Sequence, residues 1–195
     1  MCDDAPRPMR ITGGELRSRQ LRAPRGSATR PTSDRVREAL FSVLASRALL
    51  RGARVLDLYA GTGALGLEAI SRGAVHATLV EDAREALAAI RANVEALGVT
   101  DRVRVVAARV ERAARTLVTA SGAPFDLVFA DPPYADVTSG EACRAIEAVA
   151  GAALAPGGTL VLEHAHADPP PALGGLLVED ARRYGDTALA LYVHA

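Results

Sequence analysis

Two short stretches of this 195-residue chain hold residue types at spacings that could do chemistry. One is Asp131-Pro132-Pro133-Tyr134. An amine attached to a nucleobase ring is a weak nucleophile, because its lone pair is delocalised into the ring. To aim that pair at a carbon in line with a departing group, a protein must hold both N–H bonds with acceptors. Such acceptors also favour the positive charge that develops on nitrogen. Asp131 can supply a carboxylate and Pro132 a main-chain carbonyl. The two prolines fix φ and remove donors, so the corner is rigid and offers acceptors only. Tyr134 adds a flat face on which an extruded base can stack. Taken alone, the tetrapeptide is equally a rigid turn with a capping Asp and a surface Tyr.

The other stretch is "VLDLYAGTGALGLEA", residues 55–69, with Gly61, Gly63 and Gly66 spaced G-x-G-x-x-G. This spacing reports a backbone that turns sharply after a strand and lets a ligand come close. Glu81 ends the next predicted strand, where an acid accepts the ribose hydroxyls of any adenosine-containing cofactor. Asp57, four residues before Gly61, separates the cofactors. A carboxylate there opposes a dinucleotide pyrophosphate and suits a ligand bearing an ammonium and a sulfonium. Its plainer role is to cap backbone amides. The D-x-x-x-G-x-G order resembles the first motif of S-adenosylmethionine-dependent methyltransferases.

The elements that must position these residues follow from hydrophobic period. From Arg54 onward, short β-branched runs alternate with longer helical patterns, which predicts a mostly parallel sheet covered by helices on both faces. Strands are expected near 53–59, 75–81, 103–107, 125–130 and 158–163, with helices near 64–72, 83–97, 109–120 and 139–153. After the proline-rich break at 168–175, a turn at Tyr184-Gly185-Asp186 predicts a closing antiparallel hairpin, for seven strands in all. Both motifs then fall at the carboxyl edge of the sheet. A helix is expected to start near Thr32 or Ser33, with Val36, Leu40, Val43 and Leu44 on its apolar face and Phe41 in the core.

The formal net charge is zero, and every one of the 23 basic residues is arginine. A lysine nucleophile or Schiff base is thereby excluded. Residues 1–54 carry twelve arginines against five acids, an excess of seven positive charges. Arg10, Arg17, Arg19, Arg22, Arg25 and Arg30, with flexible glycines between them, are read as a basic arm over residues 1–31, ahead of the domain at 32–195. Such an arm can bind phosphates. Cys2 and Cys143 stand apart from any metal-binding spacing, so no zinc site or disulfide framework is expected, and the compartment is read as a reducing cytoplasm. No run is long and apolar enough for a membrane span, and no metal or membrane partner is expected. His164 and His166 are read as loop residues. Glu163 ends a strand on the ligand edge, where RNA contact and a structural role both stand open.

Asp131–Tyr134 resembles the (D/N)-P-P-(Y/F) motif of amino methyltransferases. "RITGGELRSRQL", "RPTSDRVREALF", "LDLYAGTGALGLEAISRGA" and "DPPY", in that order, are similar to the bacterial small-subunit ribosomal RNA guanine-N2 methyltransferase family. The resemblance covers nearly the whole chain and implies a Rossmann-like class I methyltransferase fold. It implies methylation of N2 of one guanine in 16S rRNA, within the small subunit or an assembly intermediate, by a monomer. It further implies that Asp131 and Pro132 hold the amine, that Tyr134 stacks on the base, and that Asp57, Tyr59, Gly61, Gly63 and Glu81 bind S-adenosylmethionine. Thr32, Asp34 and Arg35 would close over the methionine end of the cofactor. Arg10, Arg17, Arg19, Arg22, Arg30 and Arg37 would face RNA. The chain departs from the wider class after its third strand: Ala107, Ala108 and Arg109 stand where an Asp or Asn often meets the adenine amine, leaving a main-chain group near Val110. A methyltransferase for adenine in DNA, an NAD-dependent oxidoreductase and an RNA-binding assembly factor without activity are the alternatives.

Overall fold

The computed structural model describes residues 9–23, 34–113, 117 and 124–195. Seven strands form one sheet: β1 (Arg54–Leu58), β2 (His76–Glu81), β3 (Val103–Ala107), β4 (Phe125–Ala130), β5 (Leu154–Ala165), β6 (Leu176–Tyr184) and β7 (Thr187–His194). Their order is β3-β2-β1-β4-β5-β7-β6. The first five are parallel, and β7 runs antiparallel between β5 and β6. Strand order reverses between β1 and β4, and in such sheets the crevice outside the carboxyl ends at that reversal is where ligands bind.

Five helices have described boundaries: α1 (Asp34–Ser46), α2 (Ala64–Ser71), α3 (Arg84–Leu97), α4 (Tyr134–Thr138) and α5 (Glu141–Ala153). The segment at 110–113 is also helical. One face of the sheet packs on α1, α2 and α3, through Leu40, Phe41, Leu44, Leu67, Ile70, Ile90 and Val94. The other face packs on α5, whose buried alanines and Ile146 meet Leu56, Val128 and Leu160. Each large apolar side chain so buried contributes on the order of 2 kcal/mol. The α3 pattern is typical of how these helices form. Ala86, Ala89, Ile90, Asn93, Val94 and Leu97 recur on one face, Glu85 sits favourably in the first turn, and Gly98 ends the helix at φ 70.

The α/β architecture and the closing hairpin match the sequence reading, with Gly185 and Asp186 linking the paired Tyr184 and Thr187. Three differences bear on the site. The helix expected at 139–153 is α5, but a further short helix, α4, precedes it in the corner after β4, with Gly140 at φ 76 between the two. The fifth strand runs to Ala165, so His164 lies on a strand at 1% exposure, with Nδ1 3.0 Å from the Ala165 carbonyl, rather than in a loop. Burial pulls its pKa down.

The third difference is at the N-terminus. Within the segment read as a basic arm, residues 9–23 form a hairpin docked on the domain. Arg10 bridges Gln20, and the amides of Ile11, Ser18 and Leu21 donate to the carbonyls of Arg19, Ile11 and Met9. Ile11 and Leu21 lie in the core. The glycines serve close approach: a Cβ on Gly14, which has φ +79, would lie 1.8 Å from the Ser71 carbonyl. The boundary placed at 31/32, with Arg25, Arg30 and Thr32, lies outside the described residues. Among the described residues no helix is long and apolar enough to cross a membrane.

Candidate active site

Asp57 is the fourth residue of β1 and is 1% exposed. Its Oδ2 accepts the Gly66 amide at 2.9 Å, from the first turns of α2. A side chain at position 66 would strike Leu79 and crowd Asp57, so only glycine lets the helix approach this carboxylate. Burial raises the Asp57 pKa well above the ordinary carboxylate range. The Gly66 N–H opposes that rise, and the nearby Asp131 and Glu81 add to it. Asp57 thus fills the plainer role read from the sequence, clamping an amide, and it is a buried acid near the carboxyl end of β1.

Between β1 and α2 the loop turns through Tyr59, Gly61 and Gly63 at φ 58, 56 and 77. Glu81, at the end of β2, accepts the Gly61 amide with Oε2 at 2.8 Å and the Asp82 and Ala83 amides with Oε1. One carboxylate therefore ties the glycine loop to the next strand-to-helix corner. A positive φ is uncommon for a bulky residue. At Tyr59 it accompanies a hydroxyl that is buried and makes no hydrogen bond among the described residues. Burial raises the Tyr59 pKa.

Tyr59 lines a cavity of about 130 Å³ with Glu81, Asp82, Ala108, Val110 and Pro133. It is smaller than a whole-ligand pocket and is sized for one part of a ligand. A larger cavity, of about 480 Å³, lies away from both motifs, between Gly14 and Glu15 of the hairpin and the turn at 73–75. The cavity beside the motifs is the relevant one, since it adjoins Glu81 and the corner after β4. Two carboxylates, a positive-φ loop and an orphaned hydroxyl are donors and acceptors that fit a cationic adenosine ligand. S-adenosylmethionine is such a ligand.

The corner after β4 completes the edge. The Asp131 amide donates to the Leu58 carbonyl at 3.5 Å. Pro132 is buried. The Pro133 carbonyl receives the Asp136 and Val137 amides as α4 begins, whereas among the described residues no hydrogen bond reaches the Pro132 carbonyl. Tyr134 is 41% exposed and opens α4. Its hydroxyl is 3.1 Å from Thr187 Oγ1, which in turn donates to Glu163 Oε1 at 3.3 Å. Nothing in the sequence linked Tyr134 to a residue 53 positions on.

The structure separates the remaining sequence-derived residues. Arg37, expected to face RNA, is 1% exposed. Its guanidinium donates to the Arg10 carbonyl and to Asp34 Oδ1, and it lies 3.8 Å from Glu68. A buried, paired guanidinium is an internal strut, so that assignment is corrected. Asp34 is held by Arg10 and Arg37, while Arg35 is exposed. Val110 is 4% exposed beside the cavity. Arg17, Arg19 and Arg22 are exposed on the hairpin. That hairpin reaches the glycine loop through Asn93, whose side-chain nitrogen donates to the carbonyls of both Arg22 and Thr62.

The chain is 32% identical to "Putative rRNA methyltransferase YlbH" of Bacillus subtilis, over 94% of this chain and 98% of that protein. It is 42% identical to ribosomal RNA small subunit methyltransferase D of Escherichia coli K12, over 65% of this chain and 60% of that one. A solved structure of a hypothetical protein from Thermus thermophilus superposes with a TM-score of 0.79 at 36% identity, over 96% of this chain and 99% of that chain. The chain belongs to the family described as "Conserved hypothetical protein 95", which it matches over residues 9–193.

Proposed function

We propose that this chain transfers a methyl group from S-adenosylmethionine to the exocyclic N2 amine of one guanine in 16S rRNA. The observation that carries the reading is the shared edge. Asp57 and Glu81 frame the glycine loop, and Asp131-Pro132-Pro133-Tyr134 begins where the neighbouring strand β4 ends. The relatives named as rRNA methyltransferases support RNA as the class of substrate.

The bound cofactor supplies an electrophilic methyl on a sulfonium. Asp57 places negative charge near the cationic end, and Glu81 holds the loop against the ribose. The Tyr59 hydroxyl and the main chain at Ala108 and Val110 line the place for the adenine. Asp131 and the Pro132 carbonyl accept the two N–H bonds of the guanine amine, which aims its lone pair at the methyl carbon. The proton lost from nitrogen passes to the Asp131 carboxylate or to water beside it. Tyr134 stacks on the extruded base. Arg17, Arg19 and Arg22, with Arg10, provide phosphate contacts that position the RNA without reading its sequence.

The testing experiment is transfer from labelled S-adenosylmethionine to 30S particles and to naked 16S rRNA lacking the modification, followed by nucleoside analysis. The expected product is N2-methylguanosine at one site. N6-methyladenosine, or no transfer with cofactor binding demonstrated, overturns the assignment.

A further inference from the structure

Beside the corner proposed to hold the amine, a second carboxylate lies near the carboxyl end of the neighbouring strand β5. β4 and β5 pair in parallel as far as Ala130 with Leu162. Glu163 is the next residue of β5, and Asp131 is the first residue beyond the end of β4. The alternation along both strands fixes their face: Phe129 and Val161 belong to the core under α1 and α2, while Ala130 and Leu162 belong to the opposite core. Asp131 and Glu163 therefore return to the first face, at the carboxyl edge, on adjacent strands.

Glu163 is 7% exposed. Its Oε1 accepts the Thr187 hydroxyl, and Thr187 meets the Tyr134 hydroxyl. The proposed stacking ring is thus tethered, through one threonine, to the same carboxylate. A buried acid in such a chain is oriented rather than free to swing.

We infer that Glu163 is a specificity-determining residue that accepts the N1–H of the target guanine while Asp131 and Pro132 hold its N2 amine. This rests on the guanine-N2 reading above. Guanine presents N1–H as a donor beside its amine. Adenine presents a lone pair at N1, which a carboxylate repels. Two acceptors for three adjacent N–H bonds would leave one donor buried and unpaired, at a cost comparable to a lost hydrogen bond. A carboxylate at position 163 supplies the third and makes the site selective by charge as well as by shape.

The test uses 2-aminopurine, which keeps the exocyclic amine and lacks N1–H. Synthetic RNA carrying the mapped target nucleotide as guanine or as 2-aminopurine is offered to the wild type and to Glu163→Gln. The amide can donate to a bare N1, so it tolerates the analogue. The wild type is expected to favour guanine by roughly 10- to 100-fold in kcat/KM, and E163Q to shrink that ratio below about tenfold. Cofactor affinity within about twofold of wild type shows that E163Q is folded. A structural role for Glu163 would lower both rates together. An unchanged ratio in a variant that binds cofactor overturns the inference and leaves the guanine-N2 reading standing. Absence of transfer by the wild type to the guanine RNA overturns both.

Discussion

The Asp57 carboxylate accepts the Gly66 backbone N–H at 2.9 Å, so the strand entering the glycine loop also clamps the helix leaving it. Burial lifts the Asp57 pKa, and Asp131 and Glu81 add to that rise. A cationic cofactor favours the ionised form. Affinity for S-adenosylmethionine should therefore rise as pH increases through the raised pKa, plateau above it, and release a proton on binding below it. Calorimetry across pH, in buffers of differing ionisation enthalpy, reads both effects. Asp57→Asn should bind more weakly and lose the dependence. Without ligand the sign is opposite. The folded pKa exceeds the unfolded one, so the contribution of Asp57 to stability falls as pH rises from the ordinary carboxylate range, about 4, through the folded pKa.

In the proposed reaction Asp131 acts on the substrate amine and not on the cofactor. Asp131→Ala should lower kcat about 10²- to 10³-fold. Its cofactor Kd should stay within a few-fold at a pH where Asp57 is ionised. Removal of the Asp131 charge also brings the Asp57 pKa down, so the rise of cofactor affinity should shift to lower pH. A large loss of cofactor affinity at high pH would assign Asp131 to the cofactor instead.

Sequence period was enough for the sheet, because apolar runs such as "FDLVFA" carry their burial on their face, and the two motifs announced the edge they share. Contacts between distant residues were not legible. Arg37 reads as the solvent face of its helix, and the hairpin, whose Arg10 carbonyl accepts its guanidinium, helps to make it internal. Glu68 reads as a solvent acid inside "LGLEA", yet it is 0% exposed because Thr12 and Gly13 turn their amides onto it. Glycines in a basic stretch suggest flexibility, whereas Gly14 marks where main chain meets main chain. The signal that could have exposed the hairpin was its apolar residues Ile11, Leu16 and Leu21, five positions apart among arginines.

Glu68 accepts the Thr12 and Gly13 amides, the Thr12 hydroxyl and the Arg72 guanidinium, each within 2.8 Å. It also faces Arg37 at 3.8 Å. Glu68→Ala leaves buried donors and a buried cation uncompensated, so it should cost about 3–5 kcal/mol in urea unfolding. Arg37→Ala should likewise reduce stability, and a variant that lost RNA affinity at unchanged stability would restore Arg37 to the RNA face.

The hairpin arginines test the electrostatic part of RNA binding without removing core residues. Replacing Arg17, Arg19 and Arg22 together by Gln should weaken RNA binding. The dependence of log K on log salt should flatten by about one unit for each phosphate that is no longer neutralised. Being exposed, these positions should change stability little, within about 0.5 kcal/mol each. An unchanged salt slope would place the RNA on another face.

Thr187 joins the β7 edge to the proposed base platform, since its hydroxyl lies between Tyr134 and Glu163. Thr187→Val keeps the shape and removes both bonds. KM for RNA should rise several-fold, with cofactor affinity unchanged, because the ring that stacks on the base is no longer held. Tyr134→Phe removes the same hydroxyl contact from the other side while keeping the stacking face. If the chain works as a unit, the two substitutions together should cost little more than either one. The double-mutant cycle on kcat/KM should then show coupling of about 1 kcal/mol. Strict additivity would mean that Tyr134 is positioned by α4 alone. Thr187→Ser, which keeps the hydroxyl, should restore the wild-type KM.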